Sequence, residues 1–291
     1  MAVDMSESVE TAHLLCGVSG LLKSTWPALP AHDRNRLLTD LMAGAATLRR
    51  SLEGTNAGAD GPTDDEVLDE LHRATNTLHF QPIVGLPSRE VVGFEVLTRF
   101  GRWTPDRWFR RAWQIGVGLE FELSVLERAL PVLDRLPAPM TLAINVSPLT
   151  LISPELHQAV GSVDASRIVL ELTEHERISE YPVYREQLTR LRSLGVRIAV
   201  DDAGAGHSSL RHILQLAPDT VKLDRDLTAG CDADAARRSL IRSLVGFTSE
   251  TGMCMVAEGI ETEEESAALV SFGVTRGQGY LFGAPAALPT W

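Results

Sequence analysis

The sequence predicts an α/β protein whose main body is a modified (β/α)8 TIM-type barrel, with one strand antiparallel and a small N-terminal helical segment in front. Three observations carry that expectation. Eight short β-prone runs succeed one another from His79 onward, and helical stretches separate most of them. Roughly 210 residues is enough for eight strands and their helices. The alternative, an open doubly wound sheet, is weakened by the absence of a GxGxxG or GxxxxGK turn after any run. The first two runs are joined only by Pro87-Ser88-Arg89, which suits an antiparallel hairpin and is too short for a crossover.

The elements follow in chain order. Residues 6–23 and 31–51 read as helices, with Trp26-Pro27-Ala28-Leu29-Pro30 breaking between them and Leu37, Leu38, Leu41 and Leu48 striping the second. This segment, residues 1–52, could dock on the main domain or pair with a second copy, a dimerisation or regulatory role. Residues 53–65, EGTNAGADGPTDD, are rich in Gly and Asp without apolar periodicity and read as a linker to a barrel domain over 66–291. Thr63-Asp64-Asp65-Glu66 has capping-box spacing and should start a helix reaching about residue 77. The strand candidates are HFQPIVGL, VVGFEVLTRF, TLAINVS, RIVLELTE, VRIAVDD, TVKLD, CMVAEGI and GQGYLFG.

Composition narrows the function. Of 291 residues, 44% are apolar and 23% charged, which fits a soluble globular chain and not a disordered tail. A formal charge of −12 makes sequence-independent binding to long nucleic acid a poor fit. A small phosphorylated ligand stays open if cations supply the missing positive charge. The cysteines, Cys16, Cys231 and Cys254, are odd in number and lack CxxC spacing, which argues against a disulfide framework or structural zinc. The acidic start is unlike a signal peptide, and the apolar stretch at residues 12–22 is too short to span a bilayer. The expectation is a cytoplasmic protein without a membrane partner.

Each run carries its polar residues near one end: Glu95, Asn145, Glu171, Asp201 with Asp202, Lys222, Glu258 and Gln278. In a barrel, the carboxyl ends of parallel strands converge on one mouth, where chemistry is done. A single such residue can be a helix cap or a satisfied core polar group. Six strands in succession are a different matter, because buried carboxylates are costly unless paired or on a metal. Five carboxylates and a carboxamide at one mouth would raise one another's pKa, and divalent cations resolve the conflict. An oxygen-only donor set points to Mg²⁺ or Mn²⁺ rather than zinc. Adjacent Asp201 and Asp202 could hold two metals, the usual device for phosphodiester displacement, with Lys222 adding charge or a proton-transfer group.

The motifs, in this order, resemble the EAL domain of bacterial cyclic di-GMP phosphodiesterases: Gln81-Pro82-Ile83-Val84, Glu95-Val96-Leu97, Asn145-Val146-Ser147, Glu171-Leu172-Thr173-Glu174, Asp201-Asp202-Ala203-Gly204-Ala205-Gly206, Lys222-Leu223-Asp224, Ala257-Glu258-Gly259-Ile260-Glu261-Thr262 and Gln278-Gly279-Tyr280. The resemblance implies hydrolysis of cyclic di-GMP to linear pGpG with two Mg²⁺ or Mn²⁺ ions. It implies Glu95, Asn145, Glu171 and Asp201 on one metal, and Asp201, Asp202 and Glu258 on the second. Lys222 then positions or deprotonates the water, and Gln278 lies near that water or the substrate. Gln81, Leu97 and Arg99 match substrate-contacting positions, Arg99 on a phosphate. Glu174 and Glu261 support the loop after Asp202 and the surroundings of the site. The same resemblance allows a homodimer.

The departures spare every implied metal ligand. The signature alanine is Val96, the common DDFG reads Asp201-Asp202-Ala203-Gly204, and residues 100–109 are shorter than in many relatives. The altered loop bears on regulation and dimer strength more than on chemistry. His207 and His212 are five apart, a poor helical metal pair, and Trp103, Trp108 and Trp113 read as packing. Two other functions compete: a non-catalytic receptor that binds cyclic di-GMP, and a protein-interaction module that binds no nucleotide. Both sit badly with intact carboxylates.

Overall fold

The computed structural model describes residues 61–172, 181–203 and 207–290, the side chains of 202–211 excepted. The chain divides after Ala45 into two units, and every described residue belongs to the second. The expected helical segment over 1–52 and most of the linker lie outside the described residues.

Eight strands close into a barrel in chain order: β1 (Thr77–Gly85), β2 (Val91–Arg99), β3 (Thr141–Val146), β4 (Ile168–Leu172), β5 (Arg197–Ala203), β6 (Thr220–Leu223), β7 (Cys254–Ala257) and β8 (Arg276–Gln278). β1 runs antiparallel to both its neighbours, β2 and β8, and every other pairing is parallel. The reversed strand is the one the short hairpin required. The α-helices are α1 (Asp64–Arg73), α2 (Pro105–Gln114), α3 (Gly118–Ala129), α4 (Pro148–Leu151), α5 (Pro154–Val160), α6 (Tyr181–Ser193), α7 (His207–Leu216), α8 (Arg225–Thr228), α9 (Ala235–Thr251) and α10 (Glu263–Phe272). Among the described residues, no helix is long and apolar enough to cross a membrane.

Three boundaries differ from the sequence expectation. The Thr63–Glu66 capping box is formed, so α1 starts two residues inside the expected linker. It stops at Arg73, short of residue 77, because Ala74 takes a left-handed conformation with φ 48°. Glu70 accepts from the backbone N–H and the Nδ2 of Asn76 (2.7 and 2.6 Å), and Arg128 donates to Asn76 Oδ1 and O. That clamp turns the chain from helix into β1. The last strand is also shorter than GQGYLFG implied: Gln278 closes β8 instead of opening it. A side chain at Gly279 would stand 2.1 Å from the Ile260 carbonyl oxygen, so the backbones cross there and the chain turns away.

The barrel interior shows why polar groups gather at one level. Ile83, Ala143, Val169, Ala199 and Val256 form a buried apolar cluster. Side chains alternate along a strand, so the same inward face continues two residues away. Those positions are Gln81, Asn145, Glu171, Asp201 and Glu258. On four strands the polar residue follows the apolar one; on reversed β1 it precedes it. The apolar layer is a floor, and the polar layer lies directly above it.

Candidate active site

Strand ends deliver the charged groups. Glu95, Asn145, Glu171, Asp201, Lys222 and Gln278 lie within β2, β3, β4, β5, β6 and β8, and Glu258 is one residue past β7. The Lys222 ammonium, 2% exposed, is the centre of the cluster. Its Nζ lies 2.7 Å from Glu171 Oε2, 2.6 Å from Glu258 Oε1, 3.5 Å from Asp201 Oδ2 and 3.6 Å from Glu95 Oε2. The Glu258 contact is ionic, since Oε1 lacks an aligned hydrogen-bond donor. Asn145 Nδ2 donates to Glu95 Oε1 (3.0 Å), and Gln278 Nε2 donates to Glu95 Oε2 (2.7 Å) and Gln81 Oε1 (2.8 Å). Gln81 Nε2 in turn donates to the Gly283 carbonyl (3.2 Å).

Four carboxylates face one ammonium, so the cluster is over-charged. Burial pushes the Glu171 carboxyl well above the usual carboxylate range; Lys222 pulls it back, and Glu95 and Asp201 push it further up. Burial, offset in part by Lys222, brings Glu258 up to about 8. For Lys222, burial alone would favour the neutral amine, and the surrounding carboxylates, Glu171 foremost, outweigh it and hold the pKa well above its ordinary value. Lys222 is an ammonium, so it cannot act as a base while it holds that charge. It can stabilise an anion or give up a proton.

The donor set suits a hard cation. All its acceptors are oxygens, and Gln278 Oε1 is buried without a hydrogen-bond partner. Among the described residues, no three carboxyl or imidazole groups stand together as a ready metal cage. The ammonium occupies the centre instead. Asp202 continues β5 past Asp201, but its side chain and all of Glu174 lie outside the described residues.

A cavity of about 260 Å³ opens above the cluster, lined in part by Gln81, Leu97, Lys222, Arg225, Glu261 and Tyr280. Leu97 shares the inward face of β2 with Glu95, as alternation predicts. Arg99 is not brought there: its Nη1 donates to the Thr98 carbonyl of its own strand (3.1 Å), and it is absent from the lining, which departs from the expected phosphate contact. Glu261 faces Arg225 across a 2.7 Å ion pair at the rim. The tryptophan reading holds for Trp108, which stacks on Phe100 at 4.7 Å between ring centroids.

Three residues of the site region escaped the sequence reading. Arg225 and Tyr280 line the cavity. Each directly follows a quoted motif or ends one, which was the available signal. Glu122 is the third: it is 9% exposed on α3 and accepts from the Ser147 N–H (2.9 Å) and Trp113 Nε1 (2.8 Å). Burial raises its pKa, and those hydrogen bonds pull it down. It fixes the chain two residues beyond Asn145. A charged residue set between Phe121 and Val125 on a buried helix face was the clue. Glu122→Ala leaves the buried Ser147 N–H and the half-buried Trp113 Nε1 unpaired and should cost about 2–4 kcal/mol. Thermal denaturation against the parent checks this, and an unchanged midpoint would contradict the role.

Fold and site together define a (β/α)8 barrel mouth built from carboxylates, three carboxamides and one buried ammonium. The profile described as EAL domain matches residues 64–285, and the chain belongs to that family. Among curated relatives, the cyclic di-GMP phosphodiesterase RocR of Pseudomonas aeruginosa is 29% identical over 270 residues, covering 86% of this chain and 66% of its own. Among solved structures, an EAL domain protein from Listeria monocytogenes EGD-e superposes with TM-score 0.70 at 25% identity, over 78% of this chain and 95% of that one. Klebsiella pneumoniae BlrP1, solved with manganese and cy-diGMP, gives 0.63 at 29%, over 72% and 56%. The chain spans about a third or less of the length of the first curated relatives it matches.

Proposed function

We propose that this chain hydrolyses cyclic di-GMP to linear pGpG with the help of two Mg²⁺ or Mn²⁺ ions. The observation that carries the reading is the convergence of Glu95, Glu171, Asp201 and Glu258 on one buried ammonium at the barrel mouth. RocR's name and the manganese complex of BlrP1 support the substrate and the metal. Glu95, Asn145, Glu171 and Asp201 would hold one ion, and Asp201, Asp202 and Glu258 the other. Ions held there supply Lewis acidity at the phosphate and make water a better nucleophile near neutral pH.

The chain's own groups do the rest. Asn145 and Gln278 fix Glu95 from two sides, so its carboxylate cannot rotate away. Lys222 places positive charge where the phosphodiester gathers negative charge, and its proton can go to the departing 3′ oxygen. Leu97 gives the cavity an apolar wall. Cytoplasmic location and pairing of two copies belong to the same reading, and sedimentation tests the second.

Hydrolysis followed by chromatography, with Mg²⁺ or Mn²⁺ against excess chelator, is the test. Linear pGpG should form only with metal. Tight binding of cyclic di-GMP with no turnover under any divalent ion would instead favour the receptor. The metal should also compete with protons. Burial brings Glu258 up to about 8 and pushes Glu171 well above the usual carboxylate range, so an ion that binds there must displace the proton Glu258 carries near neutrality. Mn²⁺ affinity should rise from pH 6 towards pH 8 and then level off, with proton release visible by calorimetry in two buffers. A flat profile would show that these carboxyls are not ligands.

A further inference from the structure

We infer that Arg225 reads a guanine base of the substrate, a role that rests on the function proposed above. Among the described residues lining the cavity, the cations are Lys222 and Arg225. Lys222 is committed to carboxylates on all sides. Arg225 differs: its side chain is 57% exposed, and its partner is the carboxylate of Glu261, itself 39% exposed. An ion pair so open to water is weak and exchanges readily for another acceptor pair.

The aliphatic stem that carries the guanidinium is nevertheless closely packed. A side chain at Gly259 would stand 2.5 Å from Arg225 Cγ and 2.7 Å from its Cβ. The aliphatic part of Arg225 therefore lies on the bare backbone of Gly259, next to Glu258. The left-handed φ of 63° at Gly259 also favours glycine. A mobile arginine would need no such bed. The fork of Arg225 is held at the rim of the cavity and the charged cluster lies below it.

Two ligand groups present paired acceptors to such a fork: a phosphate, and the O6/N7 edge of guanine. The phosphate that reacts must sit deep in the cavity, against the carboxylates and Lys222. The rim can then meet the ring's second phosphate or a base, and the exposed aromatic ring of Tyr280 on the same lining favours a base. Adenine offers N7 and an N6 amino donor there, so it fails to satisfy the fork. Tyr280, 66% exposed on the same lining, offers an aromatic face for that base to stack on. Arg225 is thus a specificity-determining residue, outside the groups that hold metal.

The test compares cyclic di-GMP with its analogue bearing 7-deazaguanine, which lacks the N7 acceptor. Binding is measured with Ca²⁺ to limit turnover. The parent should bind the analogue about tenfold less tightly, the scale of one lost charged hydrogen bond. Arg225→Ala should bind both ligands equally, at or below the parent's affinity for the analogue. Arg225→Lys keeps the charge but not the fork, and should also lose the discrimination. Melting curves confirm that the variants are folded. A variant that keeps the tenfold discrimination, or a parent that shows none, overturns the assignment. Equal weakening of both ligands with parental discrimination retained would mark Arg225 as a phosphate contact and overturn it as well. A parent that neither binds nor cleaves cyclic di-GMP overturns the proposed function, a result distinct from these.

Discussion

Replacing Lys222 by methionine should cut turnover of cyclic di-GMP by about 10²-fold or more, while substrate binding in Ca²⁺ weakens far less. Methionine keeps the unbranched, buried stem and removes the ammonium, with its charge and its N–H donors. The ammonium now lies within 2.7 Å of both Glu171 and Glu258, and no other cation of the cavity lining reaches them. Its loss removes the positive charge among the carboxylates and, on the proposed mechanism, a proton donor for the leaving oxygen, effects worth roughly 10²–10³ and 10²–10⁴ in enzymes of known mechanism. The carboxyls will take up protons or cations to compensate, so the fold should survive. Parental turnover in the variant would show that Lys222 serves only to neutralise the cluster. An equal loss of binding and turnover would place it in ground-state recognition instead.

A still larger effect is expected at Glu95. It is the one carboxylate gripped by two carboxamides, Asn145 at 3.0 Å and Gln278 at 2.7 Å, besides facing Lys222. Glu95→Ala frees all three partners and should nearly abolish turnover even in saturating Mn²⁺. Its neighbour makes the control. Val96 is 4% exposed and lies on the opposite face of β2, paired with Phe80 on β1 and Ile144 on β3. Val96→Ala removes methyl groups from packing and should cost about 1–3 kcal/mol of stability with only a few-fold change in turnover. Should alanine at 96 raise turnover a hundredfold, the wild-type chain is better read as a crippled, binding-only relative.

The barrel was legible because burial and alternation leave a linear trace. Each run places a polar residue two steps from an apolar one on the same face, as Ala143 and Asn145 or Val169 and Glu171 do, and that spacing survives into three dimensions. Gln81, Glu95, Asn145, Glu171, Asp201, Lys222, Glu258 and Gln278 are accordingly found together. What was not legible depends on contacts between distant backbones. GQGYLFG has the composition of a strand, and only the crossing of Gly279 over Ile260 ends it at Gln278. Arg99 has the right parity to join Glu95 and Leu97, but at the strand's last residue the side chain is free to fold back onto Thr98 O. Arg225 sits on a four-residue helix, too short to show a period, and its bed on Gly259 joins residues 34 positions apart in a chain rich in arginine.

The reversal of β1 decides where force enters the molecule. In a barrel whose strands all run one way, the chain arrives at each strand from the base and leaves at the mouth. Here Thr77 stands opposite Arg99, so β1 arrives at the mouth. The connection at residues 74–76, clamped through Asn76 to Glu70 and Arg128, occupies the place in the rim where a strand-to-helix loop would lie. Four residues past Thr77, Gln81 is paired with Glu95 across the hairpin and bonded to Gln278. A tether pulling on the chain upstream of Thr77 would thus act on the mouth of the barrel through a short, stiff lever, with Glu95, a carboxylate of the buried cluster, one strand away. The same pull applied at the base would first have to deform the apolar floor.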